Sequence, residues 1–173
     1  PGGTIVFSKG LIDFAQSEAA VVGVLAHELS HVDHGHQLDG LRRHKLAHNT
    51  ISSGNASVAD LLSSGQVFIR QFAMPFRPQE ESQADLDAAQ WALQAGYDPM
   101  EMARMFRRLH QRDEQRELAI PGFLRSHPYH AQRFKAIKDV SVKWAADRPD
   151  AERYVGRKNL QQRIPRKEHK FVE

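Results

Sequence analysis

"VVGVLAHELSHVDHGHQL", residues 21–38, starts as an apolar stretch suited to a protein core and then sets two histidines and a glutamate at its middle. Ser17 upstream is an N-cap and Glu18 stands in the first turn, so the 3.6-residue apolar period predicts a helix over 18–38. On that helix His27 and His31 lie one turn apart on one face and can meet on a single ion, while Glu28 lies on the adjoining face. The arrangement is HExxH. In such a site two neutral imidazoles hold Zn²⁺, the ion lowers the pKa of its water toward about 7, and the glutamate takes that water's proton as a carbonyl is attacked. The alternative is a core helix with hydrogen-bonded histidines. Burying three such groups unpaired costs several kcal/mol, roughly, and a divalent cation satisfies all three at once.

The third ligand has to come from elsewhere in the chain. An HExxHxxGxxH pattern is excluded, because His34 stands where it needs Gly and Gln37 where it needs His. His34 shares the face of His27 but lies about 10 Å further along the axis, too far to join both on one ion. His34, His36, His44 and His48 read as surface histidines near a helix end, where positive charge is favoured. The acidic head of "QEESQADLDAAQ" is the better source. Glu81 faces Asp85 one turn later, whereas Glu80 faces Ala84, and a ligating histidine usually gives its other N–H to a carboxylate. Glu81 is therefore the expected third ligand and Asp85 the partner of a metal-bound histidine, with the fourth position left to water. Glu80 reads as a solvated acidic residue suited to the helix dipole. "RSHPYHAQRF" offers His127 and Arg133 to stabilise an oxyanion and hold substrate, His127 being fixed by the proline that follows it.

The rest of the chain sets limits. At 173 residues one domain with a substantial core is expected, and no run approaches the length that spans a bilayer. The start "PGGTIVFSKG" has no signal-peptide character and reads as mid-protein, so any leader would lie upstream. Without cysteine there are no disulfides, thiolate metal sites or cysteine nucleophiles. The sequence pI near 9.4 comes from one region. Residues 142–173 hold nine Lys and Arg against five Asp and Glu, leaving fifteen against sixteen in residues 1–141. This pattern fits a polar basic extension after a nearly neutral body, and it argues against a nucleic-acid footprint; contact with an anionic membrane surface is the remaining electrostatic alternative. "TIVFS" predicts a strand at 4–8 and "GLIDFAQ" a helical turn. Residues 40–56 read as a frayed helix end and loop, and 57–74 as an amphipathic segment. Helices follow over 79–95, stopped by Gly96, then from Asp98 as N-cap and Pro99, and from Tyr129 to Ala146.

In order along the chain, "HELSH", "ESQAD" and "SHPYHAQR" resemble the metallopeptidase family that includes HtpX, BepA and the CAAX prenyl protease. "PGGTIVFSKGL" and the helix before "HELSH" fit the same pattern, so the likeness covers about residues 1–140. The resemblance implies a zincin-like domain of the gluzincin type, mainly α with a small β-sheet, whose edge strand pairs with a substrate chain. It further implies one Zn²⁺ on His27, His31 and Glu81, with Glu28 as general base, Asp85 as supporting acid, and His127 and Arg133 as later active-site positions. Without membrane helices, the chain looks like the soluble, BepA-like branch of the bacterial periplasm. The implied substrates are misfolded or stalled envelope polypeptides. A chaperone or assembly factor with a rarely active metal site is the rival reading.

Overall fold

Two serines open the first two helices. The computed structural model describes residues 5–40, 42–43, 75–114, 127 and 131–168. Ser8 caps α1 (Lys9–Ala15) by accepting from Leu11 N at 3.1 Å. Gln16, left-handed at φ +66°, ends that helix, and Ser17 at once caps α2 (Glu18–Asp33) by accepting from Ala20 N at 3.2 Å. Among the described residues, further helices are α3 (Pro78–Gln94), α4 (Met100–Glu114), α5 (Ala131–Asp147) and the short α6 (Arg157–Gln162). Pro78 opens α3, and Gly96 at φ +76° closes it. Asp98 Oδ1 accepts from Met100 N at 2.9 Å, as an N-cap should.

Helix α2 is the central element, packed against both α3 and α4, and α5 lies across the same two helices. The shared core is rich in small residues, with Ala20, Val24, Ala88, Ala89 and Ala103 set among Met102, Met105, Phe106 and Ile137. Small side chains let the axes come close. The limit is reached at Gly23, where an added Cβ would lie 2.6 Å from Met102 Cβ. Gly23→Ala is therefore expected to push α2 and α4 apart and destabilise the protein by about 1–3 kcal/mol. The helix-forming advantage of Ala, up to about 1 kcal/mol, opposes this only in part. Denaturant unfolding measures the balance, and a variant as stable as the parent would show that the crossing has room.

The basic C-terminal region does not hang free at its beginning. Residues 142–147 complete α5, and the chain then returns to the body, where Tyr154 and Tyr97 form a parallel bridge. Val155 O and Gly156 O accept from Ala19 N and Glu18 N at 3.1 and 3.3 Å, pairing amides in the first turn of α2 that the helix itself leaves open. Buried Glu101 draws the same corner together through Ser17, Arg104 and Arg157.

Two expectations change. The helix expected over 18–38 ends at Asp33: Gly35 takes φ +67°, the chain turns, and a separate helical stretch begins at residue 36. Residues 5–8 of the expected strand at 4–8 have no ladder partner among the described residues, since β-branched composition makes a strand only where another edge is available. The only β-pairing among the described residues is the Tyr97–Tyr154 bridge. Of the frayed helix end and loop expected over 40–56, residues 40, 42 and 43 are helical; the rest, and the amphipathic segment expected over 57–74, lie outside the described residues.

Candidate metal centre and active site

His27 and His31 are both fully buried on the face of α2 that meets α3. Their Nε2 atoms are 3.1 Å apart. Glu81, in the first turn of α3 and 1% exposed, brings Oε2 to 3.6 Å from His27 Nε2 and Oε1 to 3.5 Å from His31 Nε2. One turn on, Asp85 Oδ1 lies 3.1 Å from His27 Nδ1. His127 completes the cluster, its Nδ1 2.8 Å from Glu81 Oε1 and 3.1 Å from His27 Nε2. One donor atom from each of His27, His31, Glu81 and His127 falls within 4.8 Å of the other three.

These residues fit a divalent cation. Around an ion with bonds of about 2.0–2.2 Å, tetrahedral donors stand roughly 3.3 Å apart, close to the 3.1, 3.5 and 3.6 Å measured here. The chemistry of the donors agrees with the spacing. An ionised Asp85 accepts from Nδ1–H of His27 and so holds the proton on that nitrogen, which leaves His27 Nε2 as a bare lone pair aimed at a second imidazole and a carboxylate. Lone pairs converging away from water call for a cation.

Electrostatics favour the same state. Burial pushes the His27 imidazole below its ordinary value, against the pull of Asp85, and so favours the neutral ring that a metal needs. Burial alone would raise the Glu81 carboxyl. In the metal-free protein, contacts with the imidazoles of His127 and His31, together with the charges of His127 and Arg133, outweigh that and hold it far below the usual carboxylate range. Asp85, buried likewise, is held down by hydrogen bonds from Arg133 and His27.

Arg133, near the start of α5, is only 7% exposed, and its guanidinium is spent inward. Nη1 lies 2.6 Å from Glu81 Oε2, while Nε and Nη2 both donate to Asp85 and the cation sits 5.3 Å from the centre of the Phe106 ring. Glu28 is the outermost of the group. Its side chain is 24% exposed and Oε1 is 3.3 Å from His127 Nε2.

The structure thus brings all seven residues singled out in the sequence into one cluster, with two differences of placement. The fourth corner, expected to go to water, is taken by His127 Nδ1, and Arg133 faces the carboxylates rather than a substrate cleft. His36 is the correction: expected on the surface, it is buried, with Nδ1 2.8 Å from His31 Nδ1. His34 does lie nearer solvent, paired to Asp87 at 2.8 Å. Two contributors went unread in the sequence. Phe76 stacks on His31 with ring centres 3.9 Å apart, and Asp87 accepts from Ser30 Oγ at 2.7 Å, tying α3 to α2 beside the site. Asp87 comes two residues after Asp85, a spacing that does not share a helix face, and only the packing of α2 on α3 reveals its contact with Ser30 and His34.

Burial would raise the Asp87 carboxyl, and hydrogen bonds from Ser30, His34 and Gln83 overcome it, leaving it below its ordinary value. Its stabilising contribution is therefore complete above the unfolded-state pKa of about 3.9 and is lost as pH falls further. Asp87→Asn is expected to cost about 1 kcal/mol at pH 7. That deficit should shrink below about pH 4, as thermal unfolding at several pH values would show; a deficit constant with pH contradicts it.

A buried set of imidazole and carboxylate donors that fits a cation, beside a partly exposed carboxylate, is the arrangement of the metallopeptidase class. The chain belongs to peptidase family M48, whose family model matches residues 1–141. It is 26% identical over 144 residues to the mitochondrial metalloendopeptidase OMA1 of Arabidopsis thaliana. That match covers 82% of this chain and 28% of the plant protein, so the chain spans little more than a quarter of that relative. No helix among the described residues is long and apolar enough to cross a membrane.

Proposed function

We propose that this chain is a zinc-dependent endopeptidase, holding one ion per chain on His27, His31 and Glu81 and using Glu28 as general base. The observation that carries the reading is the buried convergence of three donors 3.1–3.6 Å apart, with Glu28 one residue from the first of them. A His₂Glu set favours Zn²⁺, which when bound supplies a Lewis acid and a water acidic enough to react near neutral pH. Glu28 Oε1 takes the proton of the attacking water and returns it to the leaving amine. Asp85 keeps the Nδ1 proton on His27, and Arg133 offsets the charge of two buried carboxylates. His127, whose Nδ1 lies against Glu81 and His27 and whose Nε2 lies 3.3 Å from Glu28, would have to turn from this cluster to offer an N–H to the oxyanion.

The proposed substrates are unfolded or stalled polypeptides of the bacterial envelope. Support for that setting is the sequence likeness to the soluble BepA-like branch; the plant relative is mitochondrial by name. The nearly neutral body gives no support to a nucleic-acid partner, and the basic residues of 142–173 offer a peripheral membrane contact.

Purified protein is expected to contain about one zinc per chain, to cleave casein, to stop on chelation and to resume with Zn²⁺; Co²⁺ and Mn²⁺ provide the comparison. Glu81→Ala should lower the metal content. Protein that takes up no zinc would sink this reading. The position of His127 against Glu81 and His27 favours a second one, in which the site is kept shut and the chain serves as a chaperone or assembly factor. Zinc bound without cleavage of any unfolded protein would support that alternative.

A further inference from the structure

The proposed ligands do not account for His36. It lies five residues after His31, and on a continuous helix that spacing would turn it well away from its neighbour. The break at Gly35, at φ +67°, folds the chain back and places His36 Nδ1 2.8 Å from His31 Nδ1 with the rings at 70°. Both histidines are buried. Phe76 covers one face of His31, and His34 stacks on His36 with centres 5.3 Å apart and planes at 16°. His34 is itself tied to Asp87. His36 is thus held from two sides while it meets the edge of a metal-facing ring.

Two nitrogens at this distance share a single proton, and its location decides what His31 can do. If His36 held it, the second nitrogen of a neutral His31 would carry the other proton, so Nε2–H would point at His27 and Glu81 where a cation should go. If His31 holds it, Nε2 is bare. We propose that His36 is a positioning residue for the metal centre: its Nδ1 accepts from His31 Nδ1–H, fixing the tautomer in which His31 Nε2 faces the ion. The two ligating histidines would then be held by different means, His27 by the Asp85 carboxylate and His31 by a neutral imidazole. The inference rests on the metal-site reading above.

The test compares zinc affinity, by chelator competition, in unaltered protein, His36→Leu and His36→Asn, together with urea unfolding of the metal-free forms. His36→Leu removes the acceptor, whereas the Asn side-chain oxygen stands where Nδ1 was. The expected result is 10–100-fold weaker zinc binding for His36→Leu, substantial recovery in His36→Asn, and apo stabilities that do not follow that order. Imidazole ¹⁵N spectra should show His31 as one tautomer in unaltered protein and a mixture in His36→Leu. The proposal is overturned if His36→Leu binds zinc as tightly as unaltered protein, or if both variants lose affinity equally and in step with apo stability. Unaltered protein that binds no zinc overturns the metal-site reading and this inference with it, an outcome distinct from zinc binding that ignores His36.

Discussion

Glu28→Gln is expected to keep its metal and to lose hydrolysis by about 10²–10⁴-fold. Glu28 stands outside the donor cluster, on the adjoining face of α2, with Oε1 toward His127 Nε2 and a quarter of its side chain open to solvent. Gln has the same length and keeps an oxygen for that contact, yet it has no basic oxygen to take a proton. Zinc content and the unfolding curve should match those of unaltered protein, while casein cleavage falls. Cleavage at the original rate would remove Glu28 from the chemistry. Loss of zinc along with cleavage would mean that Glu28 supports the site rather than the reaction.

The parts of the site that were legible in the sequence are those carried by regular helical geometry. His27 and His31 at a spacing of four, and Glu81 and Asp85 at the same spacing, need only an unbroken helix to share a face, and both α2 and α3 are unbroken there. Choosing Glu81 over Glu80 needed one further step, the search for a carboxylate a turn away. In the structure Glu80 turns away from the cluster to Arg43 at 2.7 Å, and its side chain, only 11% exposed, is paired rather than solvated as expected. His36 escaped because the same counting was carried past Gly35, where a left-handed residue resets the direction of the chain. Arg133 was located but not its orientation, since only the crossing of α5 over α3 shows that its fork meets Glu81 and Asp85. The docking of residues 155–156 on the start of α2 had no local signal, because those hydrogen bonds run through backbone atoms that any residue supplies.

The second large effect is expected at Arg133. Glu81 and Asp85 are 1% and 0% exposed, and Arg133 is the cation that bridges them. Its planar fork binds Asp85 through two nitrogens and reaches Glu81 with the third, an arrangement that Lys cannot reproduce. Replacement by Met keeps much of the volume beside Phe106 but leaves two buried carboxylates without that charge, and metal-free protein should lose about 3–5 kcal/mol. Both carboxyls are held below their ordinary values, in part by Arg133, so their stabilising contribution is complete above the unfolded-state pKa near 4 and fades below it. The deficit of Arg133→Met should accordingly be largest at neutral pH and shrink in acid, where the variant takes up protons earlier than the parent. A bound divalent cation supplies some of the missing positive charge, so saturating Zn²⁺ should raise the melting temperature of the variant by more than it raises that of unaltered protein. Urea unfolding of the apo forms across pH, with thermal melts at saturating zinc, examines each step. An apo variant as stable as the parent would show that His27, His31 and His127 already balance the carboxylates. An equal deficit with and without zinc would separate Arg133 from the metal centre and leave it only a tie between α5 and α3.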